Sequence, residues 1–530
     1  MRKSLLTATA GLAVLALTSP GPTAAQSEAD QQLGNVHFET SCNDVAQRRF
    51  NRAMRYQHSF WYSAAKEIFE DVAKADPECG MAYWGVALTL LNNPHAAIPA
   101  ANLAPGLAAI QKAKQVGAKT ERERDYIDAL MLMYADYDKL THTQRIRAYL
   151  GAMEKLAAKY PTDDEAQIAY AITLNTSASP ADKTYAQQSK GAAILEPISL
   201  RLPQHPGIPH YLIHLYDYPA TAQKGLDAAG RYAKVAPDAP HAQHMPSHIY
   251  TRVGYWKESV SSNTASVKAA KAENSVGDQL HGQDYLVYAY LQMAQDKLAR
   301  AVVDDIGATN VTTNVQAGGF ALAASPARYE MERGDWKAAA ELPVRPSPLA
   351  HVQAITHFAR ALGAARSGNP EAAKADITRL GELRDRLRDA KDAYWSEQVD
   401  IQAQVASAAV LFAEGKREDA LKAMSAAADA EDKTEKHPVT PGVPKPAREW
   451  YGVLLLEGGN AREALSAFEA TLKKEPNRLA AYVGAAKAAE KAGDVAKAQE
   501  YYKKVVAIAG DADKSRVEVG EARAFLTRKS

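Results

Sequence analysis

Two histidine pairs recur at a fixed interval in the middle of this chain of 530 residues. His210 and His214 form the first pair, and His244 and His248 repeat it with the same internal spacing. A proline, Pro206 or Pro240, precedes each pair at the same distance. The interval between the pairs is about 34 residues, the length of a helix–turn–helix unit that stacks on its neighbours to form a solenoid. Residues one period apart take equivalent positions in adjacent units, so the sequence predicts that the two pairs lie side by side.

The same interval organises both ends of the chain. Small and aromatic residues recur one period apart near the C-terminus, in the sets Gly452, Ala464, Phe468 and Ala486, Ala498, Tyr502. Near the N-terminus, Ala65, Phe69 and Pro77 have the same mutual spacing as Ala464, Phe468 and Pro476. Small residues let the two helices of a unit touch, and aromatic residues fill the space between units. Proline ends a unit because it cannot continue the interior of a helix.

These residues resemble the tetratricopeptide repeat, and the resemblance covers most of residues 46–510. It implies an all-α fold, a right-handed superhelical solenoid of helix–turn–helix units whose concave groove binds a protein, a peptide or a small molecule. The central stretch, HPGIPHYLIHLYDYP followed by APHAQHMPSHIYTRVGYW, also resembles a signature of exported bacterial proteins of this superfamily. No activity can be transferred from that signature.

The chain is expected to divide into consecutive segments along this pattern. They are a signal peptide (1–25), a lead-in (26–45), N-terminal repeats (46–200), histidine-rich central repeats (201–300), further repeats with an insertion loop (301–435), a proline-rich loop (436–446) and C-terminal repeats (447–530). Loops are predicted at 92–105, 304–324 and 436–446. Such loops either cover the groove or act as flexible linkers, and the sequence does not separate the two.

The first residues have the pattern of a secretory signal. Arg2 and Lys3 precede a short apolar run from Leu5 to Leu17, and small residues before Gln26 provide a cleavage site. The run is too short to cross a bilayer. The mature protein is therefore expected to be exported to the periplasm or secreted, without a membrane span. The net charge of +1, spread along the chain, predicts no nucleic-acid partner.

The two cysteines, Cys42 and Cys79, are expected to pair after export. Cys42 precedes the first helix of the first unit and Cys79 follows its second helix. The two ends of an antiparallel hairpin lie close together, which makes bridging geometry feasible. Two separate buried thiols are the alternative.

Half of the 14 histidines fall in one central stretch, namely His205, His210, His214, His241, His244, His248 and His281. A third unit aligns if a short insertion is allowed. The step that carries His241 to His281 then carries His244 to Asp284 and His248 to Tyr288. Residues four apart share one face of a helix, and packed helices lie about 8–10 Å apart, so imidazoles from two helices can converge.

Neutral imidazole is the commonest ligand of zinc, copper and iron in proteins. The sequence predicts a divalent transition metal, zinc, copper or iron, held by His210, His214, His244 and His248, with Asp217 as a further ligand or as a group that orients an imidazole. The groove around it is predicted to bind a ligand through His205, His241, Arg252, His281, Asp284 and Tyr288. A metal-free groove for an anionic or polar ligand, and purely structural hydrogen bonding, are the alternatives.

Pro246 complicates this geometry. Either it kinks a helix that contains His244 and His248, or it marks the first helical turn and leaves His241 and His244 in a loop. Pro209 raises the same question more mildly.

Two classes of function remain open from the sequence. A binding or scaffold module is the usual role of this repeat type, and a metal-dependent oxygenase or hydrolase that uses the same cluster is the alternative. No phosphate-binding loop, serine-hydrolase elbow or zinc-protease motif is present. The equivalent positions of the C-terminal repeats, such as Val405 and Val453, carry no chemistry. This favours one discrete site over an extended peptide groove.

Overall fold

The computed structural model describes residues 32–311, 316–514 and 516–528. All regular secondary structure in these ranges is helical, and successive helices pack against each other along the chain. This confirms the predicted all-α solenoid of helical hairpins. The expected signal peptide, residues 1–25, lies outside the described residues. Within the described ranges, no helix combines the length and the apolar character that a membrane crossing requires.

The helices follow one another without an intervening sheet in the described ranges. In chain order they are α1 (Asp44–His58), α2 (Tyr62–Ala75), α3 (Gly80–Leu90), α4 (Ala100–Val116), α5 (Glu121–Tyr134), α6 (His142–Lys159), α7 (Asp164–Ser177), α8 (Ala186–Arg201), α9 (Gly207–Tyr216), α10 (Leu226–Val235), α11 (Pro240–His244), α12 (Pro246–Val253), α13 (Trp256–Ala272), α14 (Val276–Gln292), α15 (Asp296–Ala308), α16 (Gln316–Arg333), α17 (Trp336–Ala340), α18 (Ala350–Arg366), α19 (Pro370–Asp389), α20 (Ala393–Ala413), α21 (Arg417–Asp432), α22 (Ala447–Glu457), α23 (Ala461–Lys474), α24 (Leu479–Ala492), α25 (Val495–Ile508) and α26 (Val517–Arg528). A short 3-10 helix, Ala222–Gly225, precedes α10.

The C-terminal repeats show why small residues recur at this interval. Phe468 on α23 is fully buried between α22 and α24. A Cβ atom added to Gly484 would overlap the Phe468 ring, and one added to Gly452 would lie 2.9 Å from it. Glycine at these two positions therefore lets the aromatic side chain fill the space that the three helices share.

Two of the three predicted loops are shorter than expected. Helix α4 begins at Ala100, so the first loop is confined to residues 91–99. Helices α15 and α16 cover most of 304–324. Alanine-rich sequence favours the helix strongly enough to absorb Pro105 in α4 and Pro326 in α16, where each proline removes a single backbone hydrogen bond. The third loop contains no helix between residues 433 and 446 and is largely buried.

The C-terminal repeats pack against the middle of the chain. The indole Nε1 of Trp256 donates to the carbonyl oxygen of Asn477 at 2.8 Å. Arg516 forms an ion pair with Asp296, with a shortest N–O distance of 2.7 Å. These contacts join α13 and α15 to the C-terminal units.

Near the N-terminus, Cys42 and Cys79 form a disulfide, with their Cα atoms 5.1 Å apart. Cys42 lies just before α1 and Cys79 is the residue before α3. The bond joins the two open ends of the α1–α2 hairpin and closes a loop with a sequence separation of 37. Closing a loop of this size stabilises a fold by roughly 3–4 kcal/mol in the chain-entropy model.

Arg478 is the buried link between the C-terminal and central repeats. Its guanidinium is fully buried and pairs with Glu332 and Glu449, and its Nη1 donates to the Tyr288 hydroxyl at 3.2 Å. We expect Arg478→Met to lower the free energy of unfolding by about 3 kcal/mol, because it leaves two buried carboxylates short of a cation. Urea denaturation followed by circular dichroism measures this change. Arg523→Met, at an exposed position, is the control, and an equal effect of both substitutions would contradict the expectation.

Candidate metal site

Six of the seven histidines of the central repeats lie on three neighbouring elements. Helix α9 carries His210 and His214, the α11–α12 segment carries His241, His244 and His248, and α14 carries His281. Met245, between α11 and α12, has helical backbone angles of φ −54° and ψ −36°. The chain therefore continues helically through Pro246, and the alternative that leaves His241 and His244 in a loop is wrong. Pro209 lies in the first turn of α9, where a proline is tolerated.

The first group of imidazoles consists of His210, His214 and His241. The Nε2 atom of His210 lies 3.2 Å from Nε2 of His214 and 3.1 Å from Nε2 of His241. The three potential ligand atoms all lie within 4.8 Å of one another. His210 and His214 are buried, and His241 is half-buried.

The second group consists of His244, His248 and His281. The Nε2 atoms of His244 and His248 are 3.0 Å apart, and the His281 ring centroid lies 4.1 Å from that of His244. These three ligand atoms also lie within 4.8 Å of one another. The four histidines predicted to share one ion are therefore divided between two groups, each completed by a histidine from the predicted ligand-binding set. Each group joins one helical pair to a further histidine. The ring centroids are 4.9 Å apart within each pair, and those of His214 and His248 are 6.0 Å apart.

Hydrogen bonds at Nδ1 fix which ring nitrogen faces each group. The Nδ1–H of His210 donates to the His58 carbonyl oxygen at 2.6 Å, and that of His244 donates to Asn263 Oδ1 at 2.6 Å. The amide of Asn263 is itself oriented, because its Nδ2 donates to the Ser259 carbonyl oxygen at 2.8 Å. Both acceptors lack a proton to give, so the Nε2 atoms of His210 and His244 carry lone pairs when the rings are neutral. This is the arrangement in which proteins present imidazole to a metal.

Asp217 orients His248, another imidazole of the second group. Its carboxylate accepts from His248 Nδ1 at 2.9 Å, from Arg252 Nε at 2.8 Å and from Lys436 Nζ at 2.8 Å. Burial alone would raise the pKa of Asp217, but Lys436, Arg252 and His248 together hold that pKa well below its usual range. Of the two roles predicted for Asp217, the structure therefore shows the one that orients an imidazole. Three donors already occupy its carboxylate oxygens, so it is not placed as a metal ligand. Arg252 also donates from its Nη2 to the carbonyl oxygen of Asp217 at 3.0 Å, so it holds both the side chain and the backbone of that residue.

Two predicted site residues lie elsewhere. The Asp284 carboxylate accepts from Arg328 Nη1 at 2.7 Å and from the Ser325 hydroxyl at 3.0 Å. The Tyr288 hydroxyl accepts from Arg478. Both residues follow His281 on α14, but the side chain of α14 that reaches another histidine of the site is Tyr285, one turn after His281. The Tyr285 hydroxyl lies 3.4 Å from the His248 ring nitrogens. The i, i+4 spacing from His281 is the sequence signal that would have found it.

His205 belongs to a separate buried group. Its Nε2 lies 2.9 Å from Glu165 Oε1, and His58 Nε2 lies 3.1 Å from Glu165 Oε2. His58 also pairs with the Tyr211 hydroxyl at 3.0 Å. The prediction that His205 lines the same groove is wrong, because it precedes α9 and faces α1 and α7. The carbonyl oxygen of His58 links this group to the site, because it accepts from His210.

Two loops that the sequence left unassigned contribute to the site. His95, on the 91–99 loop, has its ring centroid 4.3 Å from that of His214. Its buried Nε2 has no hydrogen-bond partner within the described part of the chain. Lys436 opens the proline-rich loop and bonds to Asp217 as described above. Sequence reasoning could not place either loop, because nothing in a loop's own sequence specifies which helix it contacts.

The imidazoles are held in their neutral form. Burial lowers the pKa of His241 to about 3 and that of His95 to about 4. Burial, followed by the neighbouring histidines, lowers the pKa values of His210, His214 and His281 well below the ordinary value. At neutral pH the rings are therefore unprotonated donors, and protons compete little with a metal for them.

The site opens into a cavity of about 920 Å³. Five of the imidazoles line it, from His95, His214, His241, His248 and His281. Phe60 and the loop residues Pro438 and Val439 complete part of the wall. A small molecule can reach the ring nitrogens through this space. The geometry therefore combines two sets of three neutral nitrogen donors with an access route, which is what an open metal site requires.

Residues 455–518 match the family model of the tetratricopeptide repeat. This shows repeats of that type in the C-terminal part of the chain. No curated protein matches the chain in sequence. Two solved structures are similar to it at 11% identity. Human IFIT1, solved as a dimer with PPP-AAAA, matches over 88% of this chain and 91% of its own, with a TM-score of 0.37. Yeast Tom70 matches over 92% and 96%, with a TM-score of 0.27.

The depressed histidine pKa values predict acid sensitivity of the metal-free protein. The unfolded chain takes up protons below about pH 6.5, while the buried imidazoles stay neutral until the pH approaches their lowered values. Stability is therefore complete above about pH 6.5 and falls below it, by about 1.4 kcal/mol per pH unit for each such ring. Glu431, whose pKa burial raises to about 7, works in the opposite direction, but it is one group against several.

Urea denaturation of chelator-treated protein at pH 7.5 and 5.5 measures this effect. We expect a clearly lower midpoint at pH 5.5, and a smaller difference in His241→Ala. His37→Ala, which removes an exposed histidine outside the site, should leave the difference unchanged. Equal midpoints of the unsubstituted protein at the two pH values would refute the assignment of neutral buried rings.

Proposed function

We propose that this protein is an exported binding or scaffold module of the tetratricopeptide-repeat type that holds transition-metal ions in its interior. The ions bind to the two three-histidine groups. Helical arrays of this kind present concave surfaces to proteins and peptides, which supports the scaffold part of the proposal. The metal part rests on the histidine geometry.

The observation that carries the metal proposal is the 3.0 Å contact between the Nε2 atoms of His244 and His248. Both Nδ1 atoms donate to acceptors that have no proton to give, Asn263 Oδ1 and the carboxylate of Asp217. Two neutral rings therefore point lone pairs at each other in a buried space. Such a contact is repulsive unless a cation lies between the nitrogens. Burial and neighbouring histidines hold the pKa of His244 well below its ordinary value, so a proton is a poor candidate at neutral pH and a metal ion is the better one.

The chemical nature of the donor atoms restricts which metals the two groups can bind. Within the described residues, neither histidine group includes a carboxylate or a cysteine, and both cysteines are in the disulfide. Nitrogen-only sites suit zinc, copper and iron, and they disfavour magnesium and calcium, which prefer oxygen. Three ligands also leave a position open for water or another molecule.

A metal-dependent enzyme is the second candidate, and the cavity of about 920 Å³ favours it. A site whose only task is structural is usually closed by a fourth protein ligand. Here the imidazoles face a space that a substrate can enter. The proline-rich segment 436–446 fills the interior beside the site, which leaves less room for an extended peptide than for a small molecule.

Metal analysis tests the proposal. Untagged protein is expected to contain about two transition-metal ions per chain, one for each group of three donors. The double variant His244→Ala, His248→Ala should keep about one ion, because only the second group is lost. His37→Ala is the matched control and should keep both. Elemental analysis by mass spectrometry gives the counts. Trace metal that is the same in all three proteins would remove the proposal.

Export is a separate part of the proposal. The positively charged start and the short apolar run support it, and the Cys42–Cys79 disulfide is typical of an oxidising compartment. Expression of the full-length chain in a bacterium, followed by cell fractionation and N-terminal sequencing, tests this part. We expect the mature protein in the periplasmic fraction with Gln26 as its first residue. Recovery in the cytoplasm with Met1 retained would contradict it.

A further inference from the structure

The two histidine groups are immediate neighbours. Between the groups, the ring centroids of His214 and His248 are 6.0 Å apart and those of His241 and His244 are 6.2 Å apart. Within the second group, His248 and His281 are separated by 6.1 Å. The distance between the groups is thus about the same as a distance inside one of them. Two ions bound here are adjacent, and both face the same cavity.

The protein provides little negative charge next to these ions. Glu273 and Asp278 line the cavity, and burial raises the pKa of Asp278, which favours its neutral form. Neither group includes a carboxylate among the described residues. The one carboxylate that contacts their imidazoles within those residues, Asp217, is already paired with Arg252 and Lys436. Close metal pairs of divalent charge need an anion between them to offset their mutual repulsion. At equal separation, Coulomb repulsion between two monovalent ions is about four times weaker than between two divalent ions. Six neutral donors, with no carboxylate ligand among the described residues, therefore favour a monovalent pair.

Among zinc, copper and iron, copper is the metal with a stable monovalent ion that binds imidazole. Met245, whose thioether is a soft donor, lines the same cavity. Building on the proposed function, we propose that the two histidine groups hold a pair of copper(I) ions and that this pair binds dioxygen from the cavity and reduces it to peroxide.

The two copper(I) ions supply both electrons that this step requires. Each copper(I) gives one electron and becomes copper(II), and dioxygen accepts both electrons. The product is peroxide, whose oxygen–oxygen single bond stays intact, and no proton moves. The total charge of the pair and its guest is unchanged at two positive units. The peroxide anion forms in the same step that raises the charge of the copper ions. It therefore supplies the negative charge that offsets the repulsion between two copper(II) ions.

Copper loading without oxygen tests the inference. The full mature chain, freed of metal, is loaded with copper(I) under argon and, in parallel, with zinc. We expect two tightly bound copper ions per chain. On admission of oxygen, one dioxygen should be consumed for every two copper ions. The resulting copper(II) pair should give almost no electron paramagnetic resonance signal, because the two spins couple through the shared peroxide.

Two single variants provide the contrast. His241→Ala removes a ligand of the first group, and His281→Ala removes one of the second. Each is expected to bind one copper ion, and after oxidation by ferricyanide that ion should give the full signal of an isolated copper(II). His37→Ala should behave like the unsubstituted protein. Circular dichroism shows whether each variant is folded, and the unsubstituted protein alone already decides the stoichiometry and the coupling.

The possible outcomes separate this inference from the proposed function. Two zinc ions with at most one copper ion, or two copper ions whose signals add independently, would overturn the dicopper inference and leave metal binding in place. The same holds if copper binds in pairs but no dioxygen is consumed. Binding of neither metal above the trace level found in buffer without protein would overturn both.

Discussion

One buried carboxylate organises the interior of this molecule. Asp217 accepts hydrogen bonds from His248 and Arg252 on α12 and from Lys436 on the proline-rich segment. It thereby fixes an imidazole of the candidate site, the end of a repeat helix and the start of a long loop at the same point. Its charge is tolerated in the interior because two cations accompany it. The second of these cations, Lys436, is distant along the chain, at a sequence separation of 219, so the loop is part of the site.

The imidazoles illustrate a different balance of forces. Burial removes the water that would stabilise an imidazolium, and the crowding of several rings adds repulsion between any two that are charged. Both effects keep the rings neutral, and the acceptors at Nδ1 decide which nitrogen faces inward. The result is a set of lone pairs that face one another. An arrangement of this kind is costly in the absence of a cation, and proteins retain such costs mainly at sites that act.

The solenoid supports this site from both sides. The N-terminal repeats bring α1 and α7 against α9, and the carbonyl oxygen of His58 at the end of α1 orients His210. The C-terminal repeats hold the opposite side, because Arg478 donates to the Tyr288 hydroxyl on α14 and Arg516 pairs with Asp296 on α15. The proline-rich segment is largely buried and forms part of the wall of the space beside the histidines. That space is the cavity into which the site opens.

Much of this could be predicted from the sequence, because stacked repeats make sequence spacing a measure of spatial distance. The repeat interval determined the hairpin architecture and placed His210 and His214 next to His244 and His248. The two cysteines that bracket the first hairpin are bonded, as their positions suggested. Only the tertiary structure decided how the rings are grouped, that Asp217 orients an imidazole and that Asp284 and Tyr288 point elsewhere. It also decided that His95, Tyr285 and Lys436 reach the site. The physical reason is that periodicity specifies which helices are neighbours, whereas ring rotation, hydrogen-bond partners and the paths of loops depend on contacts between residues far apart in the chain.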